Sequence, residues 1–261
     1  MTSIINPSVG GNKWAPIPVP LISTKADMPR ITITPSSPFR LRYHDSLHAA
    51  LIAGLRAAGA PEELILGPTA APWTFGASGR SFPGGVNLLR VLTLSTPDPR
   101  LGEAMSRLDP AAICWSSVNG DKVDLSGAVV RHDPQPLLPG QDEVVVAFAS
   151  PFLVSERSAS KKTYARSIVG LDLSAAFSAG LSRRLRRPIK LEVTADRLSA
   201  LTDGAQPVLV RVRRTGTRDL ILPALSAMLT LRAFERDLCD AFLAGLGEKT
   251  RYGFGCPITL S

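Results

Sequence analysis

Between Arg30 and Leu260 the chain runs twice through one order of hydrophobic patterns, and that repetition restricts its architecture more than any other feature. In the first run, Arg30-Ile31-Thr32-Ile33-Thr34 alternates β-branched residues and Phe39 to Tyr43 stays extended, after which Leu47, Leu51 and Leu55 recur at helical spacing. Asp45 or Ser46 is placed to cap this helix, and Gly59 with Pro61 to stop it. A short apolar run at Leu64 to Leu66, a Gly/Pro-rich loop from Trp73 to Gly85, a strand at Val86 to Leu94 and a helix from Arg100 to Leu108 follow. Val118 to Asp124 and Gly127 to Arg131 read as a hairpin turned by Asn119-Gly120-Asp121.

Asp133-Pro134, Pro136 and Pro139-Gly140 interrupt the chain between His132 and Gln141, as a linker does. The second run then has a strand at Glu143 to Ala149 and a helix at Ser174 to Arg187. Strands at Val208 to Arg213 and Arg218 to Leu222 meet through Thr215-Gly216, and a helix at Arg232 to Ala244 leads to a strand at Cys256 to Leu260. The order β-α-β-β-α-β therefore occurs twice, which places the chain in the α+β class as two tandem ferredoxin-like domains, 30–135 and 142–261. The repeat lies in element order, not in residues. Residues 1–29 carry Pro7, Pro16, Pro18, Pro20 and Pro29 with Gly10 and Gly11, and read as an extended N-terminal arm.

At 261 residues the chain is long enough for two small domains, each with its own core. With 30 Lys+Arg against 22 Asp+Glu its formal charge is +8, and such a field attracts polyanions, nucleic acid first among them. Apolar stretches such as Val144 to Ala149 fall far short of the roughly 20 residues of a membrane span, so no membrane partner is expected. The N-terminus lacks a secretory pattern, and Cys114, Cys239 and Cys256 lie far apart with no paired spacing. A cytoplasmic protein with small buried cysteines fits best. The sequence has no acidic cluster at metal spacing, no Gly-x-Ser-x-Gly and no Gly-Lys-Ser/Thr. The common hydrolase, kinase and ATPase chemistries thus lack their signatures, and neither metal nor cofactor is expected.

The most distinctive local motif is Gly245-Leu246-Gly247-Glu248-Lys249-Thr250-Arg251-Tyr252-Gly253-Phe254-Gly255. Glycine permits positive φ and close approach of another chain, Lys249 and Arg251 supply cations, and Tyr252 and Phe254 supply stacking faces. That combination suits a phosphodiester backbone; the plainer alternative is a helix stop followed by a tight turn. A dinucleotide loop would follow a strand and open a helix, the reverse of this order. Arg183, Arg184, Arg186 and Arg187 crowd one helix tip, where they repel one another unless an anion lies close or solvent screens them. Lys161, Lys162 and Tyr164, with Arg211, Arg213 and Arg214, extend the cationic inventory.

The Gly245 to Gly255 loop resembles the Gly-x-Gly-x(5)-Gly-Phe-Gly ending of the CRISPR repeat-processing endoribonucleases of the repeat-associated RNA-binding superfamily, in position as well as in residues. Tyr43-His44-Asp45-Ser46-Leu47-His48 is a weaker match, since that family often has a histidine around the start of its first helix. The resemblance implies cleavage of precursor CRISPR RNA within each repeat, without metal or cofactor, by attack of the RNA's own 2′-OH. The products would be a 2′,3′-cyclic phosphate and a 5′-OH, with the mature crRNA retained by its 3′ hairpin. It casts His44 as general base, His48 as acid or packing residue, and Arg40 and Arg42 as cations at the scissile phosphate. Where family members lack a catalytic histidine, Arg40, Arg42, Tyr43 and Lys161 come forward instead. RNA would be bound by Lys161, Lys162, Arg183, Arg184, Arg186, Arg187, Gly245, Gly247, Lys249, Arg251, Tyr252, Gly253, Phe254 and Gly255. Other subunits of a CRISPR ribonucleoprotein are further candidate partners, and a non-catalytic crRNA-binding subunit is the alternative reading. Divergence outside the loop points toward an unusual branch such as type IV. His44 and His48 also have the spacing of a zinc peptidase pair, but Asp45 stands where that motif has glutamate and no histidine follows before His132.

Overall fold

The structure, a computed structural model, describes residues 30–68, 71–82, 86–117, 121–133, 137, 139–158 and 161–259. The expected arm 1–29, the turn residues Asn119-Gly120, and Pro134 and Pro136 of the expected linker lie outside the described residues. The first half opens with β1 (Arg30–Thr34), β2 (Phe39–Leu41), α1 (His44–Ala57) and a short α2 (Glu62–Ile65). It continues through β3 (Thr74–Phe82), β4 (Val86–Ser95), α3 (Pro99–Ser106), β5 (Cys114–Ser116), β6 (Lys122–Asp124) and β7 (Val129–His132). Antiparallel pairing gives the order β3-β4-β1-β7. β1 pairs with β4 from Arg30↔Ser95 to Ile33↔Leu92 and β2 resumes that edge at Phe39↔Leu89, so the two are segments of one interrupted strand. Ile31 and Ile33 are fully buried against Leu47, Leu51 and Leu55 of α1 and Leu101 and Met105 of α3. Each such side chain contributes about 1.5–3 kcal/mol.

The second half repeats the permutation. Its elements are β8 (Glu143–Phe148), β9 (Ser155–Ser158), β10 (Lys161–Tyr164), α4 (Leu173–Leu185), β11 (Glu192–Ala195) and α5 (Arg197–Leu201). They continue with β12 (Val208–Thr215), β13 (Arg218–Ala224), β14 (Leu229–Arg232), α6 (Glu235–Ala244) and β15 (Pro257–Thr259). The sheet order β11-β14-β8-β15 matches that of the first half position for position. Both sheets are ferredoxin-like, with Val144, Val146, Phe177, Leu181, Leu231 and Phe242 at the centre of the second core. No helix among the described residues is long and apolar enough to cross a membrane.

Four local expectations are corrected. The supposed loop after Trp73 is strand β3, whose glycines answer to packing: a Cβ on Gly76 would lie 2.7 Å from the Cβ atoms of Ala149 and Cys256, and Gly79 sits at a register shift against β4. The first-half hairpin is β5 with β6, whereas Val129–His132 crosses to pair with β1. The strands beginning at Val208 and Arg218 form a separate ribbon, and the sheet takes β11 and β14 instead. Neither Asp45 nor Ser46 caps α1. Tyr43 occupies the N-cap, and the Asp121 carboxylate accepts from the Tyr43 amide at 2.8 Å and from the Ser46 hydroxyl at 3.3 Å. The stop is as expected, with α1 ending before Gly59 at φ 82°.

Candidate nucleic-acid interface

The chain leaves α6 into the glycine-rich loop, which the first half shapes as much as the second. Gly245, Gly247, Gly253 and Gly255 all have positive φ, and a Cβ on Gly253 would lie 2.6 Å from the Phe75 ring. Thr250 donates its hydroxyl to the Trp73 carbonyl at 2.9 Å, Thr74 donates to that of Phe254 at 3.3 Å, and Arg251 donates to that of Gly67 at 2.7 Å. From the other side Arg184 donates to the carbonyls of Gly247 and Gly245, each at 2.7 Å. Burial, with repulsion from Arg183, lowers the Arg184 pKa to about 10. The glycines thus serve the loop's own conformation and its packing.

Facing outward, the loop forms one wall of a groove of about 630 Å³ whose lining includes Lys162, Tyr164, Arg183, Arg186, Lys249, Arg251 and Tyr252. The Lys249 ammonium lies 5.6 Å and the Arg251 guanidinium 5.5 Å from the centre of the Tyr252 ring. Glu248 lies in the same groove, where it accepts from Ser155 and Lys162. Burial would raise its pKa, but those donors hold the carboxyl below its usual range, so it stays anionic and balances Lys162. A second depression, about 510 Å³, shares Ala71, Arg184 and Arg186 and continues the trough toward Asp98 and Arg100. Cations beside aromatic faces in such a trough suit a single strand of nucleic acid.

His44 begins α1 and is 9% exposed, its ring 5.7 Å from that of Phe254. Burial lowers its pKa to about 4 against an opposing hydrogen bond with the Tyr252 backbone, and Nδ1 has no hydrogen-bond partner among the described residues. The ring lines a cavity of about 620 Å³ between the halves, together with Ser78, Asn87, Ser150, Leu209 and Arg211. Tyr252 lines the groove and the next residue abuts His44, with Nδ1 3.2 Å from where a Gly253 Cβ would stand. His44 is therefore a buried, neutral imidazole one residue away from the cationic trough.

The remaining expected site residues divide. His48 packs: its ring lies 4.5 Å from Tyr252 and 6.3 Å from both Trp73 and Phe75, and burial, then the charge of Arg251, brings its pKa to about 4. It is not part of the lining of the cavity that His44 borders, and no metal-binding cluster occurs among the described residues. Arg40 is exposed on β2 and Arg42 lies past the end of that strand, and neither lines the His44 cavity. Tyr43 is buried and donates its hydroxyl to Asp219 at 3.0 Å. Of the arginine tip, Arg183 and Arg186 face the groove, Arg184 is buried under the loop, and Arg187 is bound by Asp237 and Asp240. Phe254 is fully buried with Leu153, Val210 and Val212, so it offers no stacking face. The backbone of Lys161 pairs with Ser158 in the β9–β10 hairpin. Sequence reasoning missed Asp121, Asp219 and the trough's extension, because each joins residues far apart in the chain.

No protein-family model and no curated protein sequence matches the chain. Solved structures do. A Cas6-related protein from Pyrococcus furiosus superposes with a TM-score of 0.63 at 13% identity, covering 89% of this chain and 98% of that one. A RAMP protein binding different RNA substrates gives 0.58 at 14% identity over the same shares. A Cas6 product complex gives 0.54 at 18% identity, covering 90% of this chain and all of the other. The chain has the fold of the Cas6 and RAMP proteins.

Proposed function

We propose that the chain binds CRISPR repeat RNA and cuts it with His44 as general base. The observation that carries this reading is the placement of a buried, neutral histidine behind a glycine-rich loop whose outer face is a cationic, aromatic groove. The 2′-oxygen of the nucleotide preceding the cut forms a bond to phosphorus while the P–O5′ bond breaks. The imidazole takes the 2′-OH proton and solvent water supplies the proton for O5′. His48 has no place in this transfer, enclosed as it is by Trp73, Phe75 and Tyr252. The groove cations hold the flanking strand by its phosphates, and the fold shared with a RAMP protein binding different RNA substrates and with a Cas6 product complex supports that use.

Incubating repeat RNA with the protein in EDTA should give a 5′-OH fragment and a 2′,3′-cyclic phosphate. His44→Ala should slow that cut by about 10²–10⁴ while RNA binding persists. With a base pKa near 4 in the free protein, kcat/KM should be flat at neutral pH and fall only as the pH drops toward 4. A bound phosphodiester favours imidazolium, so the corresponding fall in kcat should come at higher pH. Tight binding with intact RNA would instead identify a non-catalytic crRNA-binding subunit, and loss of binding in dilute salt would reject both.

A further inference from the structure

Cleavage needs a cation at the phosphorus that His44 serves, and the groove arginines lie on the other side of the Tyr252-Gly253 segment from the cavity His44 faces. Among the described residues lining that cavity, Arg211 is the one Lys or Arg. It comes from β12, the strand of the ribbon that packs over α1. Its Nε lies 2.9 Å from Asp219 across the ribbon, and Asp219 in turn accepts from the hydroxyl of Tyr43, the residue before His44. The guanidinium carbon stands 5.9 Å from the centre of the Tyr43 ring. One carboxylate thus ties the cation to the start of the helix that carries the base. With the Asp219 carboxylate at ion-pair distance from Nε, the guanidinium is biased toward one orientation of its planar fork, a geometry that suits two phosphate oxygens. Leu89 and Val210, both buried, add apolar surface to the cavity wall, which strengthens a charge interaction made beside them.

We propose, resting on the ribonuclease reading above, that the scissile phosphate enters the cavity between the halves, where Arg211 binds its non-bridging oxygens and Asp219 acts as the positioning residue for Arg211. The phosphorane carries one more negative charge than the diester, so the arginine stabilises the transition state more than the bound substrate. Arg40 and Arg42, which the sequence nominated for this task, are absent from the cavity's lining.

The test pairs single-turnover cleavage at saturating protein with equilibrium binding to repeat RNA carrying a 2′-deoxy nucleotide at the cut. Arg211→Ala should lower the rate by at least about 10²-fold with Kd within about threefold of the unsubstituted protein. Arg211→Lys, which keeps charge and stem, should fold and bind normally yet stay well below the full rate, because an ammonium cannot hold two oxygens at once. Asp219→Asn should lower the rate without weakening binding. A phosphorothioate at the non-bridging position should slow the unsubstituted protein and have no further effect on Arg211→Ala, a response that a purely structural role would not produce. Full-rate cleavage by Arg211→Ala or Arg211→Lys would overturn the assignment and leave the ribonuclease reading standing. Loss of affinity in proportion to rate would overturn it too, by making Arg211 a strand-binding residue. Intact RNA with the unsubstituted protein would overturn both.

Discussion

His48 is held between Trp73, Phe75 and Tyr252 with its Nε2 unpartnered, so protonating it in the folded chain is costly. In the unfolded chain the same imidazole takes a proton near pH 6.5, in the folded chain only near 4. The unfolded state therefore binds more protons between those values. Stability is complete above about 6.5 and is lost as the pH falls toward 4, by about 3 kcal/mol for each such histidine. His44 follows the same rule. Urea midpoints measured at pH 7 and pH 4.5 should drop sharply for the unsubstituted protein and by about half as much for His48→Phe; equal drops would place the titration elsewhere. At this scale the sequence was partly legible. The loop glycines could be read because positive φ is a local requirement, whereas the cap of α1 could not, since its acceptor, Asp121, lies far along the chain. Arg184 could not be read from its charge, since a run of arginines looks like a solvated tip. Its helical phase did hold the answer: Leu173, Phe177, Gly180, Leu181 and Arg184 form the buried stripe of α4.

The helix that presents His44 depends on an acceptor from another element. Asp121, beside the β5–β6 turn, takes the amides of Arg42 and Tyr43 and the hydroxyl of Ser46, so it serves as the cap that α1 lacks in its own sequence. Asp121→Ala should cost about 1–2 kcal/mol, read by chemical denaturation, and should slow cleavage by loosening His44 while RNA binding persists. Unchanged stability would mean that water replaces the carboxylate. Elements with strong periodicity, α1 and β1 above all, were legible because a buried face imposes a repeat on its own residues. β3 was not, because Gly76 and Gly79 resemble loop chemistry until the neighbours that exclude a side chain are in view. The ribbon β12–β13 misled for the opposite reason. Its alternation is strong, yet Val210 and Val212 cover Leu153 and Phe254 rather than joining the sheet, while Leu209 and Leu220 face outward.

The doubled order of elements carried through to the whole molecule, since two sheets with the same strand permutation need only the right succession of patterns. What no succession of patterns specifies is how the halves meet. Arg30 reaches the Pro257 carbonyl at 3.0 Å and lies 4.6 Å from the centre of the Phe242 ring, Thr250 binds Trp73, Thr74 binds Phe254, and Arg251 binds Gly67. These contacts tie the C-terminal loop to the opposite sheet, and none of them runs through the chain between His132 and Gln141. Covalent continuity there should consequently be dispensable. Co-expressed as two polypeptides severed within that stretch, the protein should assemble as a heterodimer that co-elutes in 1 M salt, whereas either polypeptide made alone should expose an apolar scar and precipitate.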